Sequence, residues 1–335
     1  MKRRINWKFF SIMLTSIVIF GGTVHAIHVY QFANVAKGLL LQAHTAEKTN
    51  DLDKATATYL QYLGYKPGDS HALSSYSLLL SNDPKSSLPE YRIRAISALE
   101  RAVTRDPLRV DTRKQLAKLL HIQGRSLLGR EEFRQDGLRR INESLVFLTA
   151  LITHETADAS LYQMRAGCYE DLGEFDKATG DYKQAKKIDP TLIDAYSRLA
   201  LNLRLKIKLP DPAAADLVMD AKGIRDGLIY HNPKSGIAYL NRARYRREFK
   251  IDGSAEDLAL ALTLAPDETD ILLAGADLAR ERSDKTGERK LLEHGLEKHA
   301  DNPEFYRNLA GLDVREGKVE AAILTLNRGA RYIEM

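Results

Sequence analysis

Proline punctuates this sequence at intervals that a pair of short helices would fill. Six of the ten prolines stand at Pro67, Pro107, Pro190, Pro233, Pro266 and Pro303, spaced 40, 83, 43, 33 and 37 residues apart. The 83-residue gap is close to two units. Most follow Asp, Asn or Ala at the end of an apolar-periodic stretch, as in Arg105-Asp106-Pro107, Ile188-Asp189-Pro190 and His231-Asn232-Pro233. Proline cannot continue a helix and disfavours helical geometry in the residue before it, so each reads as a stop. Between stops, each unit of this 335-residue chain reads as two amphipathic helices with a short turn, which predicts a row of helical hairpins.

The clearest unit runs from Ala159 to Leu192. Its first helix is ASLYQMRAGCYEDL, its second FDKATGDYKQAKKI, with Gly173-Glu174 at the turn. Tyr162, Ala166 and Tyr169 recur at i, i+4 and i+7 on one face, and Ala178, Tyr182 and Ala185 do the same on the second helix. Small residues let two helices approach closely, and the large ones (Tyr162, Tyr169, Phe175, Tyr182) fill the gaps between neighbouring pairs.

In these residues the unit resembles the tetratricopeptide repeat (TPR), a 34-residue helix-turn-helix. The matching slots are Tyr162, Ala166, Tyr169, Gly173, Ala178, Tyr182, Ala185 and Pro190; Arg165 departs, standing where the family usually has leucine. The first hairpin resembles it in its second helix, through Leu52, Ala55, Tyr59 and Pro67. The last does so through Tyr306, Leu309, Ala310, Gly317, Ala322 and Leu326. The resemblance implies an all-α fold: a right-handed α-solenoid of about eight TPR-like hairpins, over residues 36–69, 70–108, 109–158, 159–192, 193–235, 236–268, 269–303 and 304–335. The third and fifth are over-long, and their extra residues (Gly124 to Arg130, Lys206 to Pro212) are expected to extend a second helix or a loop. Tyr59, Tyr162, Ala166, Tyr169, Ala178, Tyr182, Ala185 and Ala322 are expected in the repeat core. The resemblance further implies a concave groove, lined mainly by first helices, that holds a partner peptide or helix.

The hairpins are preceded by a different kind of segment. After Lys8 no charged residue occurs until Lys37, and residues 9–30 read FFSIMLTSIVIFGGTVHAIHVY. Twenty-two residues of helix span about 33 Å, enough for a hydrocarbon core of about 30 Å. Lys2, Arg3, Arg4 and Lys8 precede it, and basic flanks stay on the cytoplasmic side. The division that follows is a basic cytoplasmic tail at 1–8, one transmembrane signal anchor at 9–30 and an extracytoplasmic repeat domain at 31–335, in a bacterial cell envelope or periplasm. A secretory signal cleaved near Ala26, after Val24-His25-Ala26, fits the same residues and would release a soluble binding module.

The formal charge of +5 suggests an anionic partner until it is located. Four of those charges precede the apolar segment, and the rest of the chain has 46 basic residues against 45 acidic. No nucleic-acid partner is expected from such a balance. Zoning remains: residues 198–250 carry 12 Lys/Arg against 5 Asp/Glu, and residues 251–288 carry 3 against 10. Arg242, Arg244, Arg246, Arg247 and Lys250 form the densest cluster, and Arg244 and Arg247 are the candidate partner contacts. Acidic pairs such as Glu131-Glu132 and Glu256-Asp257 read as first-turn helix charges facing water.

No phosphate-binding glycine loop, nucleophile elbow or HExxH motif occurs. The nine histidines are scattered, and the single cysteine, Cys168, lies in the best repeat at a packing position. The expectation is therefore no catalytic residue, cofactor or metal, and a scaffold or assembly factor for protein partners. One rival is of another class. A repeat array ends in a polar capping helix, whereas this sequence stops at Tyr332-Ile333-Glu334-Met335 straight after an apolar-faced helix. Continuation beyond Met335 would make it the substrate-recruiting or regulatory part of an enzyme whose catalytic domain follows or is separate.

Overall fold

The computed structural model describes residues 7–154, 157–205 and 214–333. The tail residues Lys2 to Arg4, the insertion Lys206 to Pro212 and the terminal Glu334-Met335 lie wholly or largely outside them. The described residues are helical, without a strand, and form eight successive helix pairs. They gather into two compact units, residues 1–156 and 157–335.

The first unit holds α1 (Trp7–Lys48), α2 (Leu52–Tyr65), α3 (Ser70–Asn82), α4 (Pro89–Arg105), α5 (Val110–Leu128) and α6 (Arg134–Ile152). Aspartates cap α2 and α3, as their short side chains allow: Asp51 accepts from the Lys54 amide at 3.2 Å and Asp69 from the Ala72 amide at 3.0 Å. The apolar segment and the first repeat helix are one uninterrupted helix. From Leu14 to Val35 its large apolar side chains are exposed, then Ala36, Ala43 and Ala46 turn into the core. Ala36 and Ala43 pack with Tyr59, Tyr62, Leu63, Leu73 and Ala102.

The over-long third hairpin differs from expectation. Gly124 to Leu128 extend neither a second helix nor a loop but the first helix, α5, which runs on to Leu128. A Cβ on Gly124 would meet the Gly137 carbonyl oxygen at 2.8 Å, and one on Gly137 would meet that of Gly124 at 2.8 Å. The two glycines face each other where α5 crosses α6, and their bare backbones set the approach. The extra residues thus lengthen α5 and the turn that follows it.

Two tyrosines of α2 make this unit sensitive to alkali. Tyr59 is fully buried and donates to Glu47 Oε2 at 2.8 Å, and Tyr62 donates to Asp69 Oδ2 at 2.6 Å. Burial first, then these hydrogen bonds, pushes each phenol from 10.0 up to about 12. The folded chain holds both protons where the unfolded chain releases them. The stabilisation is complete below pH 10 and is lost as pH rises toward 12. The melting temperature should fall over that interval, and Tyr59→Phe should flatten part of the fall; an equally steep fall in the variant would remove Tyr59 from the account.

The second unit holds α7 (Ala159–Asp171), α8 (Phe175–Ile188), α9 (Ile193–Leu205), α10 (Ala214–His231), α11 (Gly236–Glu248), α12 (Ser254–Leu264), α13 (Thr269–Glu281), α14 (Lys285–Lys298), α15 (Pro303–Arg315) and α16 (Val319–Ile333). Gly173 takes φ +77° at the α7–α8 turn, a value that other residues adopt only with strain. Pro303 opens α15 instead of closing a turn, with Asn302 as its cap. Ala166, Ala178, Tyr182, Ala185 and Cys168 are buried, and Tyr162 and Tyr169 pack half-buried against that cluster. Ala322 is buried in α16. Phe175 does not fill a gap: at the start of α8 it is 42% exposed.

Charge lies inside this unit. Arg165 forks onto Asp181 at 2.7 and 2.8 Å, its guanidinium 5.8 and 5.9 Å from the rings of Tyr162 and Tyr169. The departure from leucine is thus one half of a bidentate pair. The arrangement recurs in the α11–α12 hairpin. Arg242, 5.5 Å from the Tyr239 ring, forks onto Asp257 at 2.9 and 2.6 Å, and Arg246 adds a contact at 2.8 Å. Asp257 is only 4% exposed. This corrects the reading of Glu256-Asp257 as solvent-facing: Glu256 faces water, whereas Asp257 points back into α11. Around α15 the polarity alternates, with Arg289 on Asp313 and Arg315 on the buried Glu288, each at 2.5 Å.

Candidate partner-binding groove

Two first helices of the second unit turn one face each toward a common groove. On α9 that face is Asp194, Ser197, Arg198 and Leu201; on α11 it is Asn241, Arg244, Tyr245 and Glu248, extended by Phe249 at the helix end. Both sets follow the three- and four-residue spacing of a single helix stripe. The groove measures about 440 Å³, the size of a few side chains of a bound segment.

Its floor is aromatic and cationic. Tyr245 and Phe249 lie 4.6 Å apart, centroid to centroid. The Arg225 guanidinium stands 4.4 Å from the Tyr245 ring, and that of Arg204 stands 5.0 Å from Phe249. Arg225 is 8% exposed, and its Nε donates to its own helix at Ala221 O, 3.2 Å away. Burial pulls its pKa down, and Tyr245 and Asp226 act against that. Burial likewise raises the Tyr245 phenol, against the lowering effect of Arg225 and Arg204. The phenol therefore stays neutral at physiological pH.

The walls carry both signs. Arg198 stands 3.8 Å from Glu170, and Arg244 stands 3.7 Å from Asp270. Both arginines are about half exposed and loosely held, so each can turn to another carboxylate. Asp194 accepts from Gln163 at 3.1 Å. A surface with apolar rings at its floor and mobile charges at its rim suits a polypeptide segment. It contains no activated nucleophile, and among the described residues no three His, Cys, Asp or Glu side chains are placed to hold a metal.

The two arginines singled out in the sequence part company here. Arg244 lines the groove. Arg247 does not line it: it stands 3.5 Å from Glu281, and it shares with Arg244 only a small cavity of about 20 Å³ beside Leu278. The acidic zone after residue 250 supplies the partners of the basic zone before it: Asp257, Asp270 and Glu281 each meet an arginine of α11. Sequence reasoning missed Arg198, Tyr245 and Phe249. Their signal was the matched polar stripes 194/197/198 and 241/244/248 on alternate helices.

Comparison with known proteins agrees with the α7–α8 pair. Residues 159–192 match the family model of the tetratricopeptide repeat. Tetratricopeptide repeat protein 16 of Homo sapiens is 28% identical over 137 residues, 41% of this chain and 16% of that protein. The chain therefore spans only a small part of the relative it matches. Among solved structures, yeast Tom70 is 14% identical with a TM-score of 0.49, over 90% of this chain and 85% of that one. MamA is 18% identical with a TM-score of 0.44, over 59% of this chain and 92% of that one.

Proposed function

We propose that this chain, which carries tetratricopeptide repeats, is a membrane-anchored scaffold that holds a segment of a partner protein against α9 and α11. The groove between those helices carries the reading: two aromatic rings at its floor, and at its rim Arg198 and Arg244, both free to exchange carboxylates. Apolar rings supply contact area, and mobile rim charges supply register and selectivity. Arg244 is a contact residue in this reading; Arg247 would act only by supporting α11.

The anchor is residues 9–30, with the tail 1–8 in the cytoplasm and the repeats 31–335 on the extracytoplasmic side. A helix whose described large apolar side chains from Met13 to Tyr30 are exposed, preceded by basic residues, supports it. The same helix would serve a cleaved signal, which gives the secreted form as the rival outcome.

A photo-crosslinking residue at Leu201 tests the groove. It should give adducts with a partner from solubilised membranes, and Tyr245→Ala should abolish them. A probe at Met219, 63% exposed on α10, should give none. Equal adducts from both positions, or adducts indifferent to Tyr245→Ala, would place binding elsewhere.

A further inference from the structure

The continuity of α1 leaves no room for a linker between the apolar segment and the repeats. Its helix runs unbroken from Trp7 to Lys48, and the first residue buried in the repeat core is Ala36. Ala36 lies six positions after Tyr30, about 9 Å along a helix. The headgroup layer is itself about 5–8 Å thick on each side. A helix that leaves the hydrocarbon at residue 30 therefore delivers the first hairpin directly onto the headgroups. This step rests on the anchor reading given above.

One particular edge of the first unit is delivered there. α2 runs antiparallel to α1, bringing Tyr65 against Phe32 at 4.9 Å between ring centroids. α3 starts five residues after Tyr65, at the same edge. α4 returns to it, because Ala102 near its end packs in one cluster with Ala36, Tyr62 and Leu73. The turns at 66–69 and 106–109 thus flank the exit of α1. The opposite edge holds the turn of α1 to α2 and that of α3 to α4, joined by Lys85 and Asp53 at 3.0 Å.

The chemistry of the α1-exit edge is unlike an ordinary solvent face. Leu108, in the turn after α4, is 84% exposed, and Tyr30 is 69% exposed. Around them stand Lys37, Lys66, Arg105, Arg109 and Arg113, against Asp69, Asp106 and Asp111. Asp69 is already engaged by Tyr62 and the α3 cap. None of those five cations forms an ion pair among the described residues. Exposed apolar tips ringed by unpaired cations within a Debye length of the bilayer match an anionic lipid surface.

We infer that the edge formed by the turns 66–69 and 106–109 rests on the bilayer, with Leu108 among the headgroups and Lys66, Arg105 and Arg109 on anionic lipid phosphates. The anchor then fixes the orientation of the first unit as well as its location.

Full-length protein carrying Cys168→Ala and either Leu108→Cys or, as the opposite-edge control, Lys85→Cys tests this. Each variant is labelled with a fluorophore and reconstituted into phosphatidylcholine vesicles, with or without phosphatidylglycerol, containing a headgroup-nitroxide lipid. Quenching should be several-fold stronger at position 108 than at 85 and should rise with phosphatidylglycerol. Adding Lys66→Glu, Arg105→Glu and Arg109→Glu should remove that rise while the chain still pellets after an alkaline wash. Equal quenching at 108 and 85 in a chain that pellets would overturn the inference and leave the anchor standing. A chain released by the wash would overturn both.

Discussion

Deleting residues 1–30 is expected to move the whole protein from the alkali-resistant membrane fraction to the supernatant, still helical. The size of the effect follows from the exposures. Leu14, Ile17, Val18, Ile19, Phe20, Val24, Ile27 and Val29 are all exposed, and none belongs to a core cluster of the first unit. That surface is unfavourable in water, and in the proposed anchor a lipid or detergent phase covers it. The cut is placed so that the repeat survives it. The core begins at Ala36, and α1 retains Leu39, Leu40, Ala43 and Ala46 for its packing. Circular dichroism of the truncated chain should show a helical spectrum. Pelleting of the truncated form after an alkaline wash would mean a second tether, and loss of helix would mean that α1 is needed entire. Sequencing the mature N-terminus separates the two envelope readings, since cleavage near Ala26 would start the chain at Ile27.

Much of this architecture was readable because proline stops and alanine–tyrosine alternation are local signals. Residues 159–192 needed only their own spacing to predict α7 and α8. The first hairpin was harder, since its opening helix is the end of a 42-residue helix, and an apolar run hides the small-residue rhythm of a repeat. Nothing local to Gly124 assigns the extra residues to the first helix of their hairpin; its meaning depends on Gly137, thirteen residues away, whose backbone it meets. Phe175 carried an aromatic at a plausible position, yet the first residue of a helix has little neighbouring surface to bury it. The groove was concealed for a related reason. Tyr245 resembles every other repeat tyrosine, and only the positions of Arg225 and α9 distinguish a floor residue from a core residue.

The charges show the limit most clearly, and they yield the second large effect. The sequence of α11 presents Arg242, Arg244, Arg246 and Arg247 as one basic cluster. In the structure they have two fates. Arg244 and Arg247 lie about half exposed beside Asp270 and Glu281, at 3.7 and 3.5 Å. Such pairs contribute about 0–1 kcal/mol, so Asp270→Ala should scarcely change the melting temperature. Arg242 and Arg246 converge on a carboxylate that is 4% exposed. Hydrogen bonding to Asp257, opposed by burial, holds the Arg242 pKa above its ordinary value. Asp257→Ala would leave two guanidinium groups in a poorly solvated site without a counter-charge. Breaking a buried pair in this way costs about 3–5 kcal/mol, a large fraction of the stability of a domain. Thermal unfolding of the second unit should show that loss, and a cost like that of Asp270→Ala would refute the structural role of the pair. The Arg165–Asp181 pair supplies the converse. Arg165→Leu restores the residue usual in the family but strands Asp181, so it should destabilise. Adding Asp181→Leu should recover most of the loss, because an apolar pair of similar volume replaces a buried ionic one at little net cost. Leucine at that position is thus neutral only when its partner in α8 changes with it, a dependence that links two residues sixteen apart in sequence.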